Sequence, residues 1–173
     1  IKEIVDLEKK IGVKSIFFIS GNKKFNTLPI FDPKYDQKKL MNSIEYIYEN
    51  GFGLGLHPGI LSSFSYKLLK SELNNLKTIT SDKEFSVRNH WLSNFRKKTW
   101  ENYSSLGFST DYSIGFNDRP GMRNSSLISF SPSKNLDLIP MIIMDGQFFN
   151  YNNINQNDII KSIEPYINEI LNV

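Results

Sequence analysis

Both histidines of the chain follow short apolar segments that end in turn-forming residues. His57 ends the apolar part of GFGLGLHPG at 51–59, and His90 lies in EFSVRNHW at 84–91. Histidine is the commonest metal ligand in proteins, and two histidines with a carboxylate can hold Zn²⁺ while leaving positions for water. Such an ion lowers the pKa of its bound water to near neutrality. The two residues therefore predict a divalent-metal site, with zinc as the expected ion. The alternative is a structural role for each histidine at the end of a strand.

Other charged residues that could act in catalysis or binding lie at or near the ends of predicted strands. Arg88 carries a forked, permanently charged guanidinium that could orient a carboxylate or stabilise an oxyanion; a surface ion pair is the alternative. Asp145 ends the apolar run LIPMIIMD at 138–145 and could be a base or a metal ligand, or only part of an Asp-Gly turn. Arg123, in the loop NDRPGMRNSS at 117–126, is on sequence alone most simply a solvated charge.

Apolar runs and helical spacings alternate along the chain and position these residues. Strands are predicted at 15–20, 53–57, 110–116, 127–130 and 138–145, and a short strand that runs into a loop at 84–91. A first helix is predicted around Ile4, Leu7 and Ile11, and a second from a cap at Asp36 to Asn50. Three more are predicted at 65–79, 99–106 and 155–171. Pro165 is expected to kink or interrupt the last of them. This alternation indicates an α/β fold with a mostly parallel sheet. Because functional groups of such folds collect at the carboxyl ends of strands, the candidate residues are expected on one rim.

The composition excludes several classes of function. The 173 residues suffice for one domain with a substantial core, the net charge is +3, and cysteine is absent, which excludes disulfides and thiolate metal sites. No basic stripe, phosphate-binding glycine loop or G-x-S-x-G element is present, which argues against nucleic-acid binding, nucleotide binding and serine hydrolysis. No apolar run reaches the ~20 residues of a membrane span, and the first residues do not resemble a secretory signal. We expect a soluble protein of undetermined compartment.

Four segments follow one another in an order found in a known family. They are LEKKIGVKSIFFIS, ENGFGLGLHPG, VRNHWLSNFRKKTWENYSSLGFSTDYSIGFNDRPGMRNSS and LIPMIIMDG. Together they resemble the polysaccharide deacetylase superfamily, the NodB-like carbohydrate esterase group. The resemblance implies a distorted or incomplete (β/α) barrel of mostly parallel strands with crossover helices. It also implies metal-dependent hydrolysis of acetyl groups from N-acetylated sugars of a polysaccharide, so a polysaccharide or oligosaccharide is the expected partner.

The resemblance also implies the metal ligands. His57 matches the metal-binding histidine that follows the family's glycine-rich strand. The family's second histidine would stand four residues later, where this chain has Leu61. We expect His90 to fill that role.

The resemblance further implies catalytic and substrate-binding roles. Arg88 matches the arginine that orients the catalytic aspartate, and Asp145, in the late segment, is predicted to be catalytic with it. Trp91 is expected near the oxyanion and the substrate. Asp111 and Arg123 would flank the substrate cleft.

The family pattern extends beyond the segments that match. Its Asp-bearing first strand and His-bearing last strand have no counterpart in residues 1–173, and the predicted helices at both ends each lack a strand to connect. We therefore expect a single deacetylase-like domain that is truncated at both ends. Two alternatives stay open: a catalytically inactive carbohydrate-binding relative, and an assembly or scaffold domain that uses open sheet edges.

Overall fold

A computed structural model of the chain describes residues 1–21, 37–80, 84–93 and 97–172. In these ranges the strands are β1 Ile16–Ile19, β2 Gly53–Leu56, β3 Phe85–Val87, β4 Phe108–Asp111, β5 Phe130–Ser133 and β6 Leu136–Leu138. The α-helices are α1 Lys2–Ile11, α2 Gln37–Glu49, α3 Tyr66–Lys77, α4 Lys97–Leu106 and α5 Ile159–Leu171. The predicted cap Asp36 lies outside the described residues. No helix in the described part of the chain is long and apolar enough to cross a bilayer.

The strands form one sheet in the order β1-β2-β3-β4-β6-β5. Four neighbouring pairs, from β1–β2 to β4–β6, are parallel, and only β5 runs antiparallel to β6 among the described strands. The predicted α/β class with a mostly parallel sheet is therefore confirmed. The described strands leave β1 and β5 at opposite edges, so they form an open sheet. The (β/α) barrel stays a prediction.

The late strands differ from the prediction. In place of parallel strands at 127–130 and 138–145, the structure has the antiparallel pair β5–β6, joined by a two-residue turn in which Asn135 has a φ of 71°. Asparagine tolerates this left-handed backbone, which suits a tight hairpin turn. β6 ends at Leu138 because Pro140, two residues later, has no N–H for a sheet ladder. Residues 139–144 form no strand, although the Ile139 and Met141 amides donate to the Asp111 and Ile114 carbonyls.

Three other elements, β4, β3 and α5, can also be compared with the prediction. β4 begins at Phe108, directly after Gly107 ends α4 with a φ of 82°, so the predicted strand at 110–116 starts two residues early and stops at Asp111. β3 is the short strand predicted within 84–91, and it ends at Val87 before the predicted loop. α5 continues through Pro165, which is exposed, so the carbonyl that loses its helical partner can face water.

The core lies between the sheet and the helices that cross it. Leu69, Leu73 and Leu76 of α3 are at most 2% exposed, at the three- and four-residue spacing of one helix face. Each such leucine stabilises the fold by about 1.5–3 kcal/mol through burial. Gly55 permits close packing in the sheet, since a Cβ there would lie 2.6 Å from the ring of Phe18. This packing joins β2 to β1, and the parallel pairing of β2 with β3 places their carboxyl ends side by side.

Candidate functional site

A cleft of ≈ 550 Å³ opens beside the carboxyl ends of β2 and β3. Ladder hydrogen bonds continue one residue past each strand, from the His57 amide to the Ile19 carbonyl (2.8 Å) and from the Arg88 amide to the Leu56 carbonyl (3.0 Å). The residues that follow are thus held as firmly as the strands. Five of the predicted site residues line the cleft: His57, Arg88, His90, Trp91 and Asp145.

The two histidine rings contact each other directly. His57 Nε2 lies 3.0 Å from His90 Nδ1, and His57 Nδ1 lies 2.6 Å from the carbonyl oxygen of Arg88. A carbonyl oxygen can only accept, so His57 Nδ1 carries the proton and, in the neutral ring, Nε2 presents its lone pair to His90. Without a metal, His90 Nδ1–H therefore donates to His57 Nε2. The structure thus fixes the His57 tautomer through the backbone of the next strand.

This pair has features expected of metal ligands. Ligating histidines usually donate their other ring N–H to a carbonyl or carboxylate, as His57 does. Tetrahedral zinc with Zn–N bonds of ~2.0–2.1 Å places two ligand nitrogens about 3.3 Å apart, close to the 3.0 Å seen here. His90 Nε2 is buried and has no hydrogen-bond partner among the described residues, which leaves this ring less than fully satisfied. The pair fits two ligand positions. The described residues contain no cluster of three or more His, Cys, Asp or Glu side chains that could hold a metal.

Arg88 brings a positive charge to the cleft. Burial lowers the pKa of its guanidinium, and the Asp145 carboxylate partly offsets this by raising it. Nη2 donates to the sulfur of Met141 at 2.8 Å, and no carboxylate lies within 4.0 Å of the guanidinium among the described residues. Thioether sulfur is a weak acceptor, so most of the donor capacity of the side chain is available to an anion or an oxyanion.

Trp91 is held in an unusual backbone conformation at the cleft wall. Trp91 and Leu92 have φ values of 54° and 51°, which cost of order 1 kcal/mol or more for such side chains. The side-chain amide of Asn117 donates to the Trp91 carbonyl at 2.8 Å and supports this conformation. The indole is 53% exposed and stacks on the His90 ring. The strained turn thus presents an aromatic face to the cleft beside the histidine pair.

A turn that starts at Asp145 also lines the cleft. Its carboxylate is exposed and accepts from the Gly146 amide at 2.8 Å. The π-helical turn Gln147–Tyr151 follows. Gln147, fully buried, joins this turn to a neighbouring loop by accepting from the Met144 amide (2.8 Å) and donating to the Phe116 carbonyl (2.7 Å). Tyr151, 56% exposed, lines the cleft.

Two predicted substrate-binding residues, Asp111 and Arg123, do not line the cleft. Asp111 is 0% exposed and accepts from the Ser113 amide at 2.8 Å, inside the sheet rather than on the cleft surface. Arg123 donates to the Gly115 carbonyl at 3.2 Å and does not line the cleft.

Sequence reasoning missed Asn117, Gln147 and Tyr151. Asn117 stands in a run of turn-forming residues, where an asparagine attracts no special attention. Gln147 and Tyr151 fall after the predicted last strand, in a segment whose π-helical turn has no sequence signature of its own. An Asp-Gly pair followed by the aromatic run QFFNY was the available signal.

Comparison with solved structures finds one fold that this chain shares. It is a crystal structure from Mycobacterium smegmatis of a protein provisionally named a polysaccharide deacetylase, with a TM-score of 0.55 and 13% sequence identity. The match covers 80% of this chain and 44% of that one, so the chain spans less than half the length of its structural neighbour. At this identity the likeness establishes a common fold. No protein-family model and no curated protein matches the sequence.

Proposed function

We propose that the protein removes acetyl groups from N-acetylated sugars of a polysaccharide, with a divalent metal, for which zinc is the expected ion. The observation that carries this proposal is the 3.0 Å approach of His57 Nε2 to His90 Nδ1 in a cleft that also holds Arg88, Asp145 and Trp91. The fold shared with a protein named for polysaccharide deacetylation supports the substrate class.

The two histidines would hold the metal through the nitrogens that now face each other. When bound, zinc would lower the pKa of a bound water and polarise the acetamide carbonyl. The Arg88 carbonyl keeps the proton of His57 on Nδ1, so Nε2 stays available as a ligand. His90 can present Nδ1 in the same way once its proton moves to Nε2.

Arg88 and Asp145 would carry the charge and proton movements of hydrolysis. The oxygen of a water forms a bond to the acetyl carbon, and negative charge develops on the carbonyl oxygen, where the Arg88 guanidinium would stabilise it. Asp145 would accept the proton of that water and return a proton to the sugar nitrogen as the C–N bond breaks. The products are acetate and a free amine.

The aromatic walls of the cleft favour a second candidate function. Trp91 and Tyr151 expose 53% and 56% of their surfaces at the cleft, which suits stacking on the apolar faces of sugar rings. Stacking requires no chemistry, so these residues support a carbohydrate-binding relative that does not turn over its ligand.

Acetate release from N-acetylglucosamine oligomers tests the proposal. We expect zinc-dependent release by the intact protein, loss of release in H57A and H90A, and a large loss of kcat in R88M. K97A, a change at an exposed residue on α4, is the matched control and should retain activity. Oligomer binding without acetate at any zinc concentration would favour the non-catalytic candidate. Equal release by H57A and the wild type would overturn the proposed metal site.

A further inference from the structure

A buried carboxylate lies behind the loop that follows β2. Glu72 of α3 is 5% exposed, whereas glutamates are almost never this buried unless they are paired. Its Oε2 accepts from the Gly59 amide at 2.9 Å, and its Oε1 accepts from the Ser62 hydroxyl at 2.5 Å. Both donors belong to the loop that leaves His57. Charge-assisted hydrogen bonds of this kind are about twice as strong as neutral ones.

The same loop connects the two histidines through the backbone. His57 is followed by Pro58, whose carbonyl accepts from the His90 amide at 3.4 Å. Gly59, which Glu72 holds, is the next residue. The carboxylate therefore anchors the chain one residue from the Pro58 carbonyl and two residues from His57. A shift of this loop moves one imidazole directly and releases the backbone contact of the other.

The helix that carries Glu72 is a rigid support. The end of β1 packs closely on α3, since a Cβ at Gly21 would lie 2.5 Å from the Glu72 carbonyl oxygen. The side-chain amide of Asn75 also donates to the Gly21 carbonyl at 2.9 Å. Together with the buried leucines of the same helix face, these contacts leave α3 little room to slide. A site held through such an element keeps its geometry better than one held through loops alone.

We propose that Glu72 is a positioning residue that sets the spacing of the His57 and His90 rings. It acts through Gly59 and Ser62, and it contacts neither ring in the hydrogen bonds described above. The value of this role rests on the proposed metal-dependent function, but the spacing itself exists without metal. The inference can therefore be tested on the metal-free chain.

Ring ¹⁵N NMR of the two histidines, the only ones in the chain, reads the geometry directly. E72Q keeps a carbonyl oxygen for Gly59 and offers an amide to Ser62, so it should retain the wild-type tautomers. E72A leaves both donors unpaired and should give averaged tautomers. L76A, which removes a fully buried side chain from the same helix without touching the loop, is the matched control and should keep them.

Two outcomes would overturn the inference: wild-type tautomers in E72A, or averaging in L76A as strong as in E72A. If E72A does not fold, S62A decides, because it removes one donor and leaves the carboxylate in place. Shifted ring resonances in S62A support the positioning role, and unchanged resonances reject it.

Zinc titration separates this inference from the proposed function. Loss of residues that orient metal ligands typically weakens metal binding or activity 10–100-fold, so we expect a drop of about that size in the zinc affinity of E72A and less than about threefold in E72Q. A wild-type chain that binds no zinc would overturn the proposed function. The tautomer comparison would then still decide the role of Glu72.

Discussion

Replacing Gly55 by alanine should destabilise the fold and disturb the cleft. The added Cβ would lie 2.6 and 2.7 Å from two ring carbons of Phe18 and 3.0 Å from the Ser86 carbonyl oxygen. Carbon atoms pack best about 3.5–4.0 Å apart, so the ring must move by roughly 1 Å. Overpacking of this kind costs about 1–3 kcal/mol, and the gain of alanine over glycine in a strand offsets about 0.5–1 kcal/mol. We expect a net loss of about 1–2 kcal/mol.

Gly53 provides the matched control in the same strand. The three atoms nearest to a Cβ there all belong to the Ile16 side chain, the closest at 3.2 Å, and a side chain can rotate away. G53A should therefore stay within about 0.5 kcal/mol of the wild type. Urea unfolding followed by far-UV circular dichroism measures both. Phe18 also lines the cleft, so G55A should in addition shift the His57 resonances. Equal unfolding midpoints for G55A and G53A would refute the close-packing argument.

Three further predictions concern residues that support the cleft. N117A should weaken oligosaccharide binding about fivefold, as expected for ~1 kcal/mol, because the strained Trp91 turn loses its hydrogen bond; calorimetric titration measures this. Q147L should lower the free energy of unfolding by about 1–3 kcal/mol in urea, because two partly buried backbone groups lose their partners. Burial raises the pKa of Tyr103 well above its usual value, as the nearby Asp111 charge also does. The folded pKa thus exceeds the unfolded one, so the stabilisation is complete below about pH 10 and is lost as the pH rises further. The free energy of unfolding of Y103F should therefore fall less steeply above pH 10 than that of the wild type, by up to about 1.4 kcal/mol per pH unit.

Each of these predictions has a contradicting result. Unchanged glycan affinity in N117A would show that the Trp91 turn holds its conformation without this contact. A Q147L protein as stable as the wild type would mean that water or other groups replace both hydrogen bonds. Parallel stability profiles of Y103F and the wild type above pH 10 would show that the hydroxyl of Tyr103 does not titrate differently in the folded state.

The first half of the fold followed from its sequence pattern. SIFFIS and GFGLG are apolar runs bounded by turn residues, and the spacing of Leu69, Leu73 and Leu76 fits one buried helix face, so strands and helices fell close to their predicted places. Parallel strands end at one edge, which is why His57 and His90 could be expected together. The 3.0 Å contact between their rings depends on backbone hydrogen bonds that no local pattern encodes.

The second half of the fold was harder to predict from the sequence, because its apolar runs do not all pair as strands. The run at 138–145 contains Pro140 and continues past the sheet, and LISF at 127–130 only reaches the start of β5. Asp111 was expected to flank the substrate cleft because of the family resemblance; the structure buries it at the end of β4, where its carboxylate accepts from the Ser113 amide. Glu72, in contrast, could have been noticed: it lies three residues after Leu69 and four before Leu76, a carboxylate on the buried face of a helix.

The proposed metal site consists of His57 Nε2 and His90 Nδ1, which together would hold a divalent ion. Zinc titration of the ¹⁵N-labelled chain tests it most directly, because the two histidines give separate ring resonances. We expect one equivalent of zinc to shift His57 Nε2 and His90 Nδ1 together, while His57 Nδ1 keeps its proton and donates to the Arg88 carbonyl. Unchanged resonances at saturating zinc, or a shift confined to one ring, would contradict it.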